Sequence, residues 1–160
     1  WRSRQTLARH VAAEIVRADF ARYVSPDVAD ALAARGSADV GQPRNRTVAV
    51  LFADLVDFTR ATETLSPEQT FALLRSFQER SCRIVFGHGG TLDKYLGDGF
   101  MATFGTIEDR PDSAAGALAC AFALQDEIAR WNRKRSARGA FPVRLSIGVH
   151  CGPVTVGNLG

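Results

Sequence analysis

Residues 91–104 read T-L-D-K-Y-L-G-D-G-F-M-A-T-F, two short apolar runs around a glycine-rich turn. The runs cover residues 91–96 and 100–104, and the turn between them is Gly97-Asp98-Gly99. An Asp-Gly pair between such runs is a strong signal for a β-hairpin. The stretch therefore predicts two antiparallel strands joined by a tight turn.

Strand and helix patterns alternate on both sides of this hairpin. Residues 47–53 (T-V-A-V-L-F-A) are nearly all apolar, which is typical of a central strand buried on both faces. Residues 66–69 (S-P-E-Q) form a capping box that begins a helix, and Pro111-Asp112 precedes a second helix. Residues 143–150 alternate between apolar and polar, which predicts a half-buried strand that Gly152-Pro153 ends.

The order of these elements is β-α-β-β-α-β, which defines an α+β, ferredoxin-like fold. Helical spacing also predicts which apolar side chains of the two helices face the core. They are Phe71, Leu74, Phe77, Ile84 and Val85 in the first helix, and Ala117, Leu118, Ala121, Leu124, Ile128 and Trp131 in the second. The fold alone names no function, because many unrelated activities use it.

Two further segments are expected ahead of this domain. Heptad spacing between about Arg4 and Tyr23, followed by a second short helix, predicts that residues 1–36 are an N-terminal helical or coiled-coil segment. The residues that carry this spacing are Ala8, Val11, Ile15, Ala18 and Arg22. Residues 37–46 are rich in Gly, Ser, Asp and Pro and predict a linker. The predicted α+β domain is then residues 47–160.

The composition narrows the class of protein. Of the 160 residues, 46% are hydrophobic and 23% are charged, the balance of an ordinary soluble globular protein. The sequence has neither an apolar run long enough for a bilayer span nor a signal-peptide pattern. The net charge of +3 comes without a dense basic cluster, which argues against nucleic-acid binding. Three scattered cysteines fit a reducing, cytoplasmic compartment better than disulfides or a zinc site.

Two aspartates are expected at one edge of the predicted sheet. In a ferredoxin-like sheet the third strand lies between the parallel first and second strands, so the end of the first strand meets the hairpin. Asp54 follows the first strand and Asp98 lies in the hairpin, and neighbouring strands lie about 4.8 Å apart. Paired carboxylates repel each other unless they are protonated or bridged by cations. Two Mg²⁺ ions roughly 3.5–4 Å apart would support displacement at phosphorus. Taken singly, each aspartate is more simply interpreted as a strand-end or turn residue.

Three motifs carry a resemblance to a known family. F-A-D-L-V-D-F-T (52–59) resembles the first metal-binding motif of class III adenylyl and guanylyl cyclases, and L-D-K-Y-L-G-D-G-F-M-A (92–102) resembles their second. S-I-G-V-H-C-G-P-V-T-V-G-N-L-G (146–160) is similar to the strand and loop that follow in that family. R-Y-V-S-P-D-V-A-D-A-L (22–32) resembles the segment that often precedes bacterial cyclase domains. The resemblance implies an adenylate cyclase that converts ATP to 3′,5′-cyclic AMP and pyrophosphate in signal transduction.

The resemblance also implies roles for individual residues. Asp54 and Asp98 would be catalytic and would hold two Mg²⁺ or Mn²⁺ ions per active site, with the Leu55 carbonyl as a further ligand. Lys94 matches the purine-selecting position, which is Lys in adenylyl cyclases and usually Glu in guanylyl cyclases; its simpler interpretation is a solvent-facing lysine. Arg144 would replace the family's triphosphate-binding arginine, whose position is Ser146 here. The other substrate-binding positions are Val56, Asp57, Phe58, Thr59, Leu96 and Gly97, with backbone N–H groups of the segment 55–59 directed at the phosphates.

The resemblance also implies which subunits and domains complete the active site. The active sites would form at the interface of a homodimer, with the aspartates from one subunit and Lys94 from the other. An upstream sensor or membrane domain is expected, with residues 1–36 as the signalling segment that couples it to the catalytic domain. The catalytic domain is expected to be cytoplasmic, in a parent protein that is either free or anchored to the membrane. In the family, a later strand and helix supply a second purine contact and the Asn and Arg that stabilise the transition state. The chain stops at Gly160 before them, and we therefore expect it to be catalytically incomplete alone.

Other functions are compatible with parts of the pattern. A guanylate cyclase would use the same metal motifs, and a degenerate cyclase-like module would only dimerise or regulate a fused effector. A diguanylate cyclase has a similar sheet with a hairpin carboxylate, but residues 96–100 lack the second acidic residue of its motif, and Lys94 would have no role.

Overall fold

The computed structural model describes residues 43–107 and 110–156. Seven elements lie in these ranges: strands β1 (Arg44–Leu55), β2 (Thr91–Leu96), β3 (Gly99–Phe104) and β4 (Leu145–Val156), and helices α1 (Phe58–Thr62), α2 (Pro67–Gly87) and α3 (Ser113–Ser136). The predicted helical segment of residues 1–36 lies outside the described residues. Helix α1 is an addition, because the sequence pattern predicts no element between β1 and α2.

The four strands form one antiparallel sheet in the order β2-β3-β1-β4. Strand β3 pairs with both β1 and β2, so β1 and β2 run parallel on either side of it, as the sequence predicts. Strand β4 pairs with the other edge of β1. The α+β, ferredoxin-like arrangement is therefore confirmed.

The core lies between one face of the sheet and helices α2 and α3. Alternate residues of β1, from Ala49 through Leu51 and Ala53 to Leu55, are fully buried on this face. Phe52 points to the other face and is 49% exposed. The prediction that β1 is buried on both faces was wrong at this end of the strand, because no described helix covers the second face there. We call the second face, marked by Phe52, the open face.

Both long helices bury a slightly different stripe from the one predicted. In α2 the buried residues are Leu73, Phe77, Ser81 and Val85, and in α3 they are Ser113, Ala117, Cys120, Leu124, Ile128 and Trp131. Phe71 and Leu118 were predicted to face the core, but they are 68% and 53% exposed. The predictions followed the large apolar residues, whereas small or polar residues fill several core positions.

Two strands are longer than their patterns predict. Strand β1 begins at Arg44, within the predicted linker, and β4 runs through Gly152-Pro153 to Val156. The cause is a continuous twelve-residue pairing of these two strands, from Arg44 opposite Val156 to Leu55 opposite Leu145. Proline is tolerated in β4 because it is the edge strand of the described sheet, where one side of the backbone needs no strand partner. The predicted break at Gly152-Pro153 was therefore wrong.

Candidate active site

Asp54 lies beside the β2–β3 hairpin. It is directly opposite Gly99 in the β1–β3 pairing, and Asp98 is the residue before Gly99. A Cβ atom built on Gly99 would lie 2.6 Å from Asp54 Oδ1 and 2.6 Å from the Ala53 carbonyl oxygen. The Asp54 carboxylate therefore rests against the hairpin backbone, at a position where only glycine fits. The sequence pattern marks Gly99 as a turn residue and misses this steric role.

The two aspartates interact electrostatically. Burial raises the pKa of Asp54 above its ordinary value, and the negative charge of Asp98 raises it further. Two carboxylates in this relation favour a proton or a divalent cation between them. Within residues 43–107 and 110–156, no group of three or more His, Cys, Asp or Glu side chains forms a metal site. Carboxylate oxygens bind hard cations such as Mg²⁺, so Asp54 and Asp98 fit such an ion with backbone carbonyls, water or substrate oxygens as its remaining ligands.

The turn that carries Asp98 consists of Gly97 and Asp98. Gly97 has φ 68°, and a glycine with positive φ in the first loop position is typical of a type II′ hairpin turn. The predicted hairpin is confirmed, although its turn is one residue shorter than predicted, because Gly99 is the first residue of β3. Leu96, the last residue of β2, is 48% exposed on the open face.

A β-bulge sets the direction of Lys94. The β2–β3 register shifts between Leu92 and Lys94, so that Leu92 is opposite Ala102 and Lys94 is opposite Met101. Lys94 therefore shares the open face with Asp54, but β3 separates the two residues within one chain. The Lys94 side chain is 59% exposed, and its ammonium Nζ lies 3.2 Å from an Asp93 carboxylate oxygen.

The segment after β1 lines a surface cleft, and neither Asp54 nor Asp98 is among the residues that line it. Asp57 adopts the left-handed backbone conformation (φ 58°) and precedes α1, and its side chain makes no capping hydrogen bond to that helix. The cleft is lined by residues 55–58, 60, 61, 64 and 141–144. Leu55 is buried at the end of β1, while Phe58 packs partly against the core and Thr59 lies in α1. Arg60, which belongs to none of the predicted site positions, also lines this cleft.

Arg144 reaches this cleft and is already paired there. Its guanidinium donates to the Asp57 carboxylate, and its carbonyl oxygen accepts a 3.0 Å hydrogen bond from the Val56 N–H. The Val56 N–H was expected to be directed at phosphates, but in this structure it binds the Arg144 carbonyl. The contacts bring Arg144 together with Asp57, two of the predicted site residues that lie 87 positions apart.

Comparison with known proteins places the chain in a family. Residues 40–160 match the adenylate and guanylate cyclase catalytic domain. Adenylate cyclase 1 of Rhizobium meliloti (strain 1021) is 30% identical over 113 residues, which are 71% of this chain and 17% of that protein. The chain belongs to the adenylate and guanylate cyclase catalytic domain family.

Solved structures agree with this assignment. The guanylyl cyclase Cya2 is 32% identical with a TM-score of 0.68, over 76% of this chain and 60% of that one. The adenylyl cyclase CyaB from P. aeruginosa is 28% identical with a TM-score of 0.71, over 74% and 62%. The chain thus spans less than two thirds of each of these proteins. None of the helices in the described part of the chain has the length and apolarity to cross a bilayer.

Proposed function

We propose that this domain is the catalytic part of an adenylate cyclase that converts ATP to 3′,5′-cyclic AMP and pyrophosphate. The observation that carries the proposal is the Asp54 carboxylate, held against Gly99 beside Asp98 at the sheet edge. The family and the fold are those of nucleotide cyclases, which restricts the chemistry to attack of a ribose hydroxyl on the α-phosphorus of a nucleoside triphosphate.

Asp54 and Asp98 are proposed to hold two Mg²⁺ or Mn²⁺ ions, with the Leu55 carbonyl as a further ligand. When bound, such ions lower the pKa of the attacking hydroxyl and neutralise charge on the departing pyrophosphate. The chain's own contribution is to present the two carboxylates at one place. The raised pKa of Asp54 supports this role, because burial and, after it, the charge of Asp98 both disfavour a free carboxylate that a divalent cation would neutralise.

The triphosphate is proposed to lie in the cleft after β1. Asp57 and Phe58 line this cleft, Thr59 follows them in α1, and Leu96 and Gly97 lie where β2 enters the hairpin turn. The Phe58 and Thr59 N–H groups belong to the first turn of α1, which the Asp57 side chain does not cap. Arg144 supplies the positive charge that a triphosphate requires.

Lys94 supports ATP as the substrate. An ammonium group only donates hydrogen bonds, so it can donate to N1 of adenine, whereas N1 of guanine carries a hydrogen. The bulge directs Lys94 to the open face, where a base could reach it. Both adenylyl and guanylyl cyclases are among the similar proteins, and GTP is therefore the alternative substrate to be tested.

The domain is proposed to act as a homodimer, with Lys94 of one subunit reaching the aspartates of the other. Phe52 (49% exposed) and Leu96 (48%) expose apolar surface on the open face near Asp54, which supports this arrangement because exposed apolar patches mark interaction surfaces. An upstream sensor or membrane domain is proposed to control this dimer from within the same polypeptide.

The decisive test is turnover by the full-length gene product that contains this sequence. We expect cyclic AMP from ATP with Mn²⁺, much less cyclic GMP from GTP, and loss of both activities in Asp54→Asn. Product from GTP alone would contradict the role given to Lys94. No product from either nucleotide would favour a regulatory, non-catalytic domain.

A further inference from the structure

Arg144 and Asp57 form an ion pair inside the proposed triphosphate cleft. Both side chains are largely exposed, 69% for Arg144 and 65% for Asp57. Their backbones are linked as well, because the Val56 N–H donates to the Arg144 carbonyl oxygen. The guanidinium is therefore held over the cleft, but its charge is directed at a carboxylate of the same chain.

The position of Asp57 is unusual for a residue that only precedes a helix. An aspartate at this position normally accepts hydrogen bonds from backbone N–H groups of the first turn, yet Asp57 accepts none of them. It is also the only non-glycine residue with positive φ in residues 43–107 and 110–156. An uncommon backbone conformation thus places this carboxylate within reach of Arg144, at the expense of a helix cap.

We infer that Asp57 is a latch on Arg144, a positioning residue that holds the guanidinium until a triphosphate replaces the carboxylate. The inference rests on the proposed function and deepens it. Exposed ion pairs are weak, so the latch opens readily. A triphosphate offers more charge and a geometry that matches the guanidinium fork, so it competes well for Arg144. Arg144 cannot bind a triphosphate while it is paired with Asp57. The apparent affinity for triphosphate therefore falls as the paired fraction of molecules rises.

The test is a double-mutant cycle on binding of inorganic tripolyphosphate by isothermal titration calorimetry, with Mn²⁺ and low salt. Asp57→Asn keeps a residue that tolerates positive φ and removes the charge. We expect it to tighten binding about two- to fivefold, the range open to an exposed pair. Arg144→Gln is expected to weaken binding, and adding Asp57→Asn to Arg144→Gln is expected to change little. Structural damage does not tighten binding, so the direction of the change is informative.

The matched control is Glu79→Gln, which breaks the exposed Arg75–Glu79 pair on α2 and should leave binding unchanged. Equal tightening by Asp57→Asn with and without Arg144 would show simple repulsion of phosphate by Asp57 and would overturn the latch. Unchanged or weaker binding by Asp57→Asn, or no binding by any variant, would overturn it too.

The same titration separates this inference from the proposed function. If tripolyphosphate binding depends on Asp54 but not on Asp57, the latch is ruled out and the proposed function still stands. Binding that shows the Asp57–Arg144 coupling but is unaffected by Asp54→Asn supports the latch and contradicts the proposed metal site.

Discussion

Gly99 controls how closely the hairpin approaches the end of β1. A Cβ atom at this position would lie 2.6 Å from the Ala53 carbonyl oxygen and from Asp54 Oδ1. The first of these atoms is backbone in the centre of the sheet and cannot rotate away. Relief must therefore come from a shift of the hairpin, which carries Asp98 with it.

Gly99→Ala is accordingly expected to separate the two aspartates. We expect a loss of stability of about 1–3 kcal/mol from overpacking, and weaker Mn²⁺ binding. Urea denaturation and calorimetric Mn²⁺ titration measure the two effects. Gly148→Ala is the matched control, because a Cβ there meets no atom within 4 Å. Wild-type Mn²⁺ affinity in Gly99→Ala would contradict the proposed geometry.

Asp54→Asn tests the electrostatic repulsion between Asp54 and Asp98. Burial and the charge of Asp98 raise the pKa of Asp54, so protonation of Asp54 stabilises the folded state. This stabilisation is fully present below the ordinary pKa of 3.8 and is lost as the pH rises through the raised pKa. At neutral pH without divalent cations, the variant should therefore melt higher than the wild type, and the difference should vanish in acid. Mn²⁺ should raise the melting temperature of the wild type only.

The control for this experiment is Asp126→Asn, which removes a carboxylate from the exposed surface of α3. It should leave both the melting temperature and its response to Mn²⁺ unchanged. Equal melting of Asp54→Asn and wild type at neutral pH would indicate that the two carboxylates do not repel each other.

Among the secondary-structure elements, those with local sequence signals were predicted well. Ser66 and Gln69 form both hydrogen bonds of the predicted capping box, so the start of α2 was found from four residues. The extension of β4 was missed because it depends on pairing with β1, which no local pattern reveals. The short helix α1 was missed for a related reason, since a left-handed Asp57 has no distinct sequence signal.

One partly buried ion pair joins α2 and α3, in addition to the apolar core that both helices share. Glu127 of α3 accepts hydrogen bonds from Arg80 of α2 and from Arg130, and the Arg80 guanidinium stacks on Trp131 with 5.1 Å to the ring centroid. Burial opposes ionisation of Glu127, but the two arginines outweigh it and its pKa is lowered. The ionised carboxylate thus joins the two helices.

Glu127→Gln is expected to destabilise the domain by about 1–2 kcal/mol at neutral pH, because two guanidinium groups lose a charged acceptor. A lowered folded-state pKa means that the stabilisation is present above the ordinary value of 4.5 and is lost as the pH falls through the lowered one. The difference between variant and wild type in urea denaturation should therefore shrink in acid. Glu79→Gln, which breaks an exposed pair on α2, should cost much less.

At the scale of the whole molecule, the approach of Asp54 to the hairpin was predictable from strand order alone. The end of β1 meets the β2–β3 turn in any sheet of this topology, so the two aspartates needed no further information. The Arg144–Asp57 pair was not predictable, because it joins two exposed side chains across 87 positions. Sequence patterns locate residues on elements, whereas contacts between loops depend on side-chain conformations that only coordinates give.

The placement of Lys94 has a consequence for the assembled protein. Lys94 and Asp54 share the open face but have β3 between them, so a single site is expected to take them from different subunits. Two full-length variants that each form no cyclic AMP, Asp54→Asn and Lys94→Glu, should then restore cyclic AMP formation when they are co-expressed. Heterodimers contain one site with both residues intact, which gives about one quarter of wild-type cyclic AMP formation from a random mixture.

Co-expression of Asp54→Asn with Asp98→Asn is the control and should restore nothing, because every site lacks one aspartate. Failure of the first pair to exceed this control would mean that Lys94 and the aspartates act within one chain, and the proposed dimeric site would have to be abandoned.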